Sequence, residues 1–314
     1  MATPIFIVGW RRSGTTLLGN LLSRHPRVAA VLYTSGRGHG VFESVYFSHL
    51  AGKYGDLRDP SNFIRFVEIY ANGSYFALSG VDKETLYGLY PADYPQIFRA
   101  TMEAMASKQG ADHWLEKSPP HVFHLEELLA CYPDALFLAT RRDMIEQLGS
   151  ALKMLEAMRV SDKALSRPAR AARLLKELLS FHGAESHLRR FARRHPGKIL
   201  LVPFRDLLAD RRRTLAEVCD FAGLDFQEEM LDTRLPANTA FSHPEQRKQA
   251  LSKAERSLCA WLGPLLGVMP YWFYRMSYKI QRARLGHRLP LAFFALREQK
   301  YGWVSLYDEN GGKY

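Results

Sequence analysis

The amino-acid sequence predicts an α/β fold in which a central parallel sheet lies between layers of helices. Four short apolar runs, near residues 5–9, 113–116, 135–140 and 199–203, each have the length of one buried strand of a parallel sheet. A helical pattern follows each run, and strands that alternate with helices are typical of α/β proteins. The chain has 314 residues, of which 47% are hydrophobic, so it can bury a large core.

The first strand and the turn after it are the most informative stretch. Residues 5–8 are apolar, residues 9–16 are rich in Gly, Ser and Thr, and leucines then repeat at helical spacing up to His25-Pro26. A strand, a glycine turn and a helix N-terminus form an anion cradle, because unpaired backbone N–H groups and the helix dipole converge on one point. Arg11 and Arg12 add positive charge beside it. We therefore expect this turn to hold a phosphate group.

The spacing within the turn separates two kinds of phosphate site. Gly9 and Gly14 stand as in the nucleotide-binding loop G-x-x-x-x-G-K-[ST], so the predicted fold is P-loop-like, but Thr15 occupies the position of the lysine. A kinase or ATPase uses that lysine on the β- and γ-phosphates, and its absence argues against ordinary phosphoryl transfer. The alternative is a purely structural Gly/Ser/Thr turn before a helix.

Charge and cysteine content limit the class of protein. The formal net charge of +11 suits an anionic ligand, nucleic acid or an anionic membrane face and does not choose among them. Cys131, Cys219 and Cys259 are odd in number and far apart, so they predict neither a disulfide framework nor a zinc site. The N-terminus has no signal-peptide pattern. Residues 261–280 are apolar, but Arg275 and Lys279 interrupt them, so the apolar run is too short to span a membrane. We expect a soluble, cytoplasmic protein.

Glu43 is the first candidate for a catalytic residue. It lies in a segment with Phe42, Tyr46 and Phe47, and a carboxylate among aromatic side chains is a candidate general base. The alternative, favoured by composition alone, is a glutamate on a helix surface whose aromatic neighbours belong to the core.

Two further motifs follow predicted strands. Glu116-Lys117-Ser118-Pro119 follows the strand near 113–116, and from the residues alone it is a strand end with a Ser N-cap and a Pro that opens the next helix. Arg142 and Ser150 lie two helical turns apart on one face, after the strand near 135–140. Arg offers a planar donor fork that matches phosphate oxygens, and Ser adds a hydroxyl donor. An Arg-Asp pair that opens a helix is, however, common by itself.

In this order the motifs resemble those of sulfotransferases that use 3′-phosphoadenosine 5′-phosphosulfate (PAPS). R-R-S-G-T-T-L-L is similar to their 5′-phosphosulfate loop, with Arg12 as the basic residue before S-G-T-T. E-S-V-Y-F, beginning at Glu43, resembles the E-x-H-F-F segment that carries the catalytic Glu of Golgi-type carbohydrate sulfotransferases. E-K-S-P is characteristic of the carbohydrate and tyrosylprotein branch, and Arg142 and Ser150 keep the spacing of the clamp on the donor's 3′-phosphate. The resemblance covers about residues 4–225.

The resemblance implies an enzyme that moves the sulfuryl group of PAPS in line to a hydroxyl or amine and releases adenosine 3′,5′-bisphosphate (PAP), without a metal. It implies three catalytic residues: Glu43 as general base, Lys117 stabilising charge on the transferring group, and Arg12 holding the 5′-phosphate. The implied cofactor-binding residues are Arg11, Arg12, Ser13, Gly14, Thr15, Thr16, Arg142 and Ser150.

The sequence departs from the family pattern at three positions. Tyr46 stands where the family has a histidine, which leaves His39 or His49 to serve as a partner of Glu43. Met144 replaces the usual proline after Arg-Asp, and Arg205 stands where a glutamate is usual after the strand near 199–203. These departures affect the histidine partner and the helix starts more than the donor site.

The remaining segments carry no site motif. Residues 52–95 are expected to be loop-rich and aromatic, the kind of segment that often lines an acceptor pocket, because Asp59-Pro60 and Asn72-Gly73 interrupt it. Residues 153–198 predict a long basic helical region, and its lack of interleaved aromatic residues favours a solvated face over a nucleic-acid surface. We divide the chain into an α/β domain, residues 1–266, and a helical, aromatic and basic extension, residues 267–314, packed on the same domain.

The expected partner is a small-molecule or carbohydrate acceptor, without nucleic acid. Aromatic and basic residues in the extension would allow peripheral membrane contact, a partner helix, cover for an apolar acceptor, or simple packing as a helical pair on the core. Two other functions remain open. A nucleotide or small-molecule kinase would need magnesium and ATP, and a non-enzymatic basic protein would bind nucleic acid or a membrane with affinity that falls steeply with salt.

Overall fold

A central sheet of parallel strands organises the molecule. The computed structural model describes residues 1–35, 38–157, 166–232, 250–284 and 304–305. In chain order the strands are β1 (Thr3–Val8), β2 (Val28–Ala30), β3 (Leu32–Ser35), β4 (Gly38–Val41), β5 (His113–Lys117), β6 (Leu136–Arg141), β7 (Ile199–Pro203) and β8 (Val304–Ser305). Five of them form a parallel sheet in the order β2-β5-β1-β6-β7, and β4, β3 and β8 form a small antiparallel sheet.

Helices cover both faces of the parallel sheet. They are α1 (Thr15–Leu22), α2 (Pro60–Ala71), α3 (Ser74–Ser79), α4 (Lys83–Tyr87), α5 (Tyr94–Lys108), α6 (Leu125–Cys131), α7 (Met144–Ala157), α8 (Arg167–Arg194), α9 (Phe204–Ala209), α10 (Arg211–Ala222), α11 (Lys253–Gly267) and α12 (Tyr271–Arg284). A π-helical turn spans Tyr46–Leu50, and 3-10 helices span Pro119–Phe123 and Glu228–Leu231.

The sheet separates two apolar cores. Along β1 the side chains alternate, so Phe6 lies in one core while Ile5 and Ile7 lie in the other, and all three are fully buried. The first core is aromatic and contains side chains from α2, α5 and α8, whereas the second is aliphatic and contains side chains from α1 and α10. These three layers confirm the predicted α/β fold, and the four predicted strands are all present.

Residues 52–95 differ from the prediction, because they form α2, α3 and α4 rather than a loop-rich segment. The pair Asp59-Pro60 starts α2 instead of forming a loop. The Asp59 carboxylate accepts a hydrogen bond from the N–H of Ser61, and Pro60 takes the first helical position. Phe63, Phe66 and Tyr70 follow at helical spacing and are buried in the aromatic core. The aromatic side chains of this segment therefore build the core.

Two further segments join these elements. Residues 28–35 supply β2 to the parallel sheet and β3 to the antiparallel sheet. The helix that Pro119 opens is the 3-10 helix Pro119–Phe123, and α6 begins after it at Leu125. The basic region 153–198 contains the end of α7 and all of α8, with residues 158–165 outside the described part of the chain.

The C-terminal helices and strand pack against earlier elements of the fold. Both α11 and α12 pack against α8, with Tyr274 buried, and β8 pairs with β3. The proposed division at residue 266 stays a prediction. Among the helices described, none has the length and apolar character needed to cross a bilayer.

The three cysteines are free thiols. Burial, assisted by a nearby carboxylate in each case, raises the pKa of Cys131, Cys219 and Cys259 to about 11. These side chains therefore pack as small apolar groups.

The N-terminus of α5 offers a test of the fold. Asp93 and Gln96 form a reciprocal capping box there. We expect Asp93→Ala to lower the free energy of unfolding by about 1 kcal/mol in urea denaturation, because an N–H of the first turn loses its acceptor. Asp82→Ala is the control, since Asp82 precedes α4 without a side-chain cap bond. Equal losses in both variants would contradict the capping role.

Candidate active site

The loop between β1 and α1 adopts a conformation that needs glycine at two positions. Gly9 and Gly14 have φ angles of 143° and 110°. A Cβ at Gly9 would lie 2.7 Å from Ser13 Oγ and from the carbonyl oxygen of Thr140, and a Cβ at Gly14 would overlap the ring of Phe204. Thr15 and Thr16 open α1 directly after the loop, so the unpaired N–H groups of the helix N-terminus lie there.

Three side chains from β6 and the start of α7 fix the backbone of this loop. Gln147 is buried and donates to the carbonyl oxygens of Trp10, at 3.0 Å, and Arg11, at 2.9 Å. Arg142 donates to the carbonyl oxygen of Arg12 at 3.2 Å. The hydroxyls of Ser13 and Thr140 are 2.7 Å apart and buried. The loop is therefore preorganised by its neighbours as well as by its own glycines.

Arg12 joins the two residues of the predicted phosphate clamp. Its Nε donates to Ser150 Oγ at 3.0 Å, while Arg142 binds its carbonyl oxygen and pairs with Glu146 at 3.2 Å. Desolvation, followed by the positive charge of Arg142, lowers the pKa of Arg12, and Glu43 opposes this change. Two guanidinium groups thus share a partly buried site, where an anion would relieve their repulsion.

Glu43 and Lys117 form an ion pair at the end of β5. Lys117 Nζ lies 2.8 Å from Glu43 Oε1. The Lys117 side chain is 3% exposed and that of Glu43 is 34% exposed, so solvent reaches the pair from the side of the carboxylate. The structure therefore brings the predicted base and the predicted cation together, and the charge of Glu43 also reaches Arg12.

A buried network lies on the other face of the same strand end. Glu116 is fully buried and accepts hydrogen bonds from Ser44 Oγ, at 2.7 Å, and from Ser118 Oγ, while His121 Nδ1 lies 2.9 Å from its second oxygen. Burial alone would raise the pKa of Glu116, but the charge and hydrogen bond of His121 and the two hydroxyls outweigh it and lower the pKa. The network ties Ser44, the residue after Glu43, to β5.

The backbone of Val45 adopts an unfavourable conformation where this segment is attached to the turn after β5. Its φ of 45° lies in the left-handed region, which a β-branched residue rarely enters. Its N–H donates to Ser118 Oγ at 2.9 Å, and the N–H of Phe47 donates to His121 Nε2 at 3.2 Å. The segment that carries Glu43 is therefore held in place by the turn after β5.

Arg11 lies away from the clamp. Its guanidinium stacks on the ring of Trp10 at 4.7 Å and lies 3.7 Å from Glu177 of α8. Glu177 is buried and also accepts the indole N–H of Trp10 at 3.3 Å. The predicted contact of Arg11 with the donor stays a prediction, and this geometry gives Arg11 a role in anchoring the loop to α8.

Of the two histidines considered as partners of Glu43, His49 contacts Ser48, with its Nδ1 2.7 Å from Ser48 Oγ. The side chain of His39 lies outside the described part of the chain. Beside these candidates the structure adds His121, which contacts Glu116. Within the described ranges, no group of three His, Cys, Asp or Glu side chains converges as a metal site would require.

Comparison with known proteins identifies the family. A family model described as "Sulfotransferase family" matches residues 4–228, more than two thirds of the chain. The chain belongs to the sulfotransferase family. The match includes all predicted site residues, and it ends before α11, α12 and β8.

Solved structures share the fold of this sulfotransferase. The sulfotransferase STF1 from Mycobacterium tuberculosis H37Rv is 18% identical, with 85% of this chain and 77% of that one covered and a TM-score of 0.51. The sulfotransferase domain from the Synechococcus PCC 7002 olefin synthase is 14% identical, with 90% and 95% covered and a TM-score of 0.50. At these identities the likeness supports the fold alone. No curated protein matches the sequence.

Four residues of the site in this sulfotransferase were not found by sequence reasoning. Glu116 lies in the E-K-S-P stretch and His121 two residues after it, but the hydrogen bond from Ser44 to Glu116 joins residues 72 positions apart in the chain. Gln147 and Glu177 lie on helices and contact the loop only through the tertiary structure. Gln147 lies five residues after Arg142 and three before Ser150, and this position between the two clamp residues is a signal that the sequence offered.

The buried carboxylate of Glu116 makes stability depend on pH. Its pKa in the folded protein lies below the ordinary 4.5, so its stabilising contribution is complete above pH 4.5 and is lost as the pH falls through the folded pKa. We expect Glu116→Gln to lower the free energy of unfolding by about 1–3 kcal/mol at pH 7, because the neutral amide is a weaker hydrogen-bond partner for His121 than the carboxylate. The difference from wild type should shrink at pH 3.5.

Urea denaturation at both pH values measures this effect. The exposed Glu68→Gln on α2 is the control and should leave stability nearly unchanged. A difference for Glu116→Gln that is the same at pH 7 and pH 3.5 would show that its ionisation is not what stabilises the fold.

The contact of Gly14 with Phe204 predicts a steric effect. We expect Gly14→Ala to lower the free energy of unfolding by about 1–3 kcal/mol more than Gly110→Ala. Both glycines have positive φ, but a Cβ at Gly110 meets nothing within 4 Å. Adding Phe204→Ala should recover part of the loss in the Gly14 variant. The absence of any recovery in urea denaturation would assign the whole effect to backbone strain.

Proposed function

We propose that this sulfotransferase uses PAPS as donor and Glu43 as the general base toward an acceptor hydroxyl or amine. The observation that carries the proposal is the 2.8 Å pair of Glu43 and Lys117, placed so close to the glycine loop that Glu43 affects the pKa of Arg12. A base, a buried cation and an anion-binding loop thus lie at one edge of the sheet.

The residues of the loop and clamp fit a donor with two separate phosphate groups. The N-terminus of α1, with Gly14, Thr15 and Thr16, offers backbone donors to a 5′-phosphate, and Arg12 adds charge there. Arg142 and Ser150, which the structure joins through Arg12, would bind a 3′-phosphate. Ser13 supports the loop through its bond to Thr140.

PAPS supplies the sulfuryl group and leaves as PAP. In the proposed step, the acceptor oxygen or nitrogen forms a bond to sulfur as the bond between sulfur and the 5′-phosphate oxygen breaks. The acceptor proton moves to a carboxylate oxygen of Glu43, and the electrons of the broken bond stay on the phosphate. Arg12 and the loop N–H groups stabilise that phosphate as its charge grows.

Lys117 has two roles in this proposal. In the resting enzyme it orients the Glu43 carboxylate through their ion pair. When an acceptor takes its place beside Glu43, the buried ammonium can offset negative charge on the transferring oxygens. The acceptor would approach from the open side of Glu43, and we propose a small molecule or carbohydrate in this position, with no nucleic acid.

The Glu116 network supports the base without touching the reacting atoms. Ser44 and Val45 are both attached to the turn after β5, so the backbone on the C-terminal side of Glu43 cannot shift freely. We propose that Glu116 positions Glu43, because placement of a base within about 0.5 Å determines its efficiency.

Donor binding and turnover should respond to different substitutions. By calorimetric titration without metal, we expect micromolar PAP binding by wild type and a loss of at least about tenfold in Arg142→Ala, which removes a charged phosphate donor. Glu43→Gln should keep PAP affinity within about threefold while sulfuryl transfer from radiolabelled PAPS to a panel of phenols and sugars falls about 10²–10⁴-fold.

Two neighbouring substitutions serve as controls. Arg141→Ala removes the adjacent cation, which pairs with Glu185 instead of the loop, and should leave PAP binding unchanged. Glu84→Gln, exposed on α4, should leave turnover unchanged. A folded wild-type protein that binds no PAP but binds ATP with magnesium would replace this proposal with a kinase activity.

A further inference from the structure

The helices α11 and α12 expose an unusual amount of apolar surface. Of the fourteen strongly exposed large apolar side chains in the described part of the chain, seven lie between residues 261 and 280. We call these seven the C-terminal apolar surface: Trp261, Leu265, Val268, Met269, Trp272, Met276 and Ile280. Trp261 is 74% exposed and Trp272 is 62% exposed. Exposed apolar groups repeated along two consecutive helices are typical of interaction sites.

Helix α12 has one face packed against the protein and another face exposed. Tyr274 is buried against α8, and the ring of Tyr278 stacks on Phe123 at 4.3 Å. Trp272, Met276 and Ile280, spaced four residues apart, lie together on a different face and are about half exposed or more. The apolar character of that face is therefore not explained by packing within the described residues.

The same helices are strongly basic. Residues 253–284 contain six Lys or Arg residues and a single acidic residue, Glu255. Glu255 is already paired with Arg170 of α8 at 2.6 Å. Arg275 and Lys279 are exposed on α12, each three residues after an apolar residue of the surface. Aromatic and apolar side chains flanked by exposed cations are the pattern of a helix that lies at a membrane interface.

A basic pocket opens beside this surface. It has a volume of about 400 Å³, and Arg190, Arg275 and Lys279 lie in its wall with the aromatic rings of Tyr271 and Tyr278. Arg190 stacks on Tyr271 at 4.6 Å. The two glutamates of the pocket are paired with basic residues: Glu126 with Arg194, which also lines the pocket, and with His195, and Glu127 with His124, another lining residue. The pocket therefore retains positive charge for an anionic group.

We propose that the C-terminal apolar surface docks on a bilayer that contains anionic phospholipids, with a lipid phosphate in the basic pocket. The tryptophans and aliphatic side chains would enter the headgroup region, where their burial is favourable, and Arg190, Arg275 and Lys279 would face the anionic lipids. This docking is independent of the proposed reaction, since its residues lie outside the site of Glu43 and Arg12.

The charge of the surface favours a bilayer over a second copy of the chain as its partner. A symmetric dimer through this surface would place the same patch on both subunits, so the basic residues of one copy would face those of the other. Like charges brought together in an interface oppose association. An anionic membrane presents the opposite charge along with an apolar interior, which matches both properties of the surface.

Vesicle co-sedimentation of the full chain tests the proposal. We expect the protein to sediment with vesicles of phosphatidylcholine and phosphatidylglycerol at 7:3, and to bind pure phosphatidylcholine vesicles at least about tenfold more weakly, because the anionic lipids attract its cations. Trp272→Ser should weaken binding to the mixed vesicles about tenfold, and Arg190→Gln or Arg275→Gln about fivefold each.

Matched substitutions away from the surface control for the general loss of a positive charge or of an exposed apolar side chain. On α2, Arg65→Gln removes an exposed cation and Ile64→Ser removes an exposed apolar side chain. Both should bind like wild type. The proposal fails if folded wild type stays in the supernatant with mixed vesicles, or if the controls lose as much as the surface variants. It also fails if ultracentrifugation shows a dimer that Trp272→Ser converts to a monomer.

Discussion

The parallel register of β1 with its two neighbours brings the main elements of the candidate site together. Ile7 pairs with Lys117 of β5, and Val8 pairs with Ala139 of β6. Since the carboxyl ends of parallel strands meet at one edge, the glycine loop, Lys117 and the start of α7 come together there. A shift of one residue in this register would also exchange the sides of Phe6 and Ile7, and would place side chains in the wrong core.

The two charged residues at the end of β5 act on opposite faces of one strand. Lys117 reaches Glu43, and Glu116 reaches Ser44, so adjacent residues on one segment are attached to adjacent residues on another. A fully buried carboxylate is costly unless its oxygens are satisfied, and here two hydroxyls and an imidazole satisfy them. The cost of burying Glu116 is thus offset by a rigid connection that no single ion pair at the surface would supply.

Much of the fold and part of the site were predictable from the sequence, because they depend on local patterns. The strands are short apolar runs, and Gly9, Gly14, Arg142 and Ser150 follow fixed spacings. The family follows from these motifs together, and the family match supports it. The pairing of Glu43 with Lys117 could be expected only through the resemblance, since 74 residues separate them.

The remaining features arise from tertiary structure. Gln147 and Glu177 are ordinary polar helix residues until the loop packs on them, and no local pattern distinguishes them from solvated ones. Asp59-Pro60 is typical of a turn, yet the same two residues begin a helix here, where aromatic side chains follow at helical spacing. Local turn propensity was outweighed there by burial of Phe63, Phe66 and Tyr70.

The raised pKa values of the three native thiols have a practical consequence for spectroscopy. At pH 7 a thiol with a pKa of about 11 is ionised to about one part in 10⁴, whereas an ordinary exposed cysteine is ionised to a few parts per hundred. A cysteine introduced at an exposed position would therefore react with maleimide dyes or spin labels about a hundredfold faster than Cys131, Cys219 or Cys259. Reporter groups can be attached one at a time to this protein while its native cysteines stay in place.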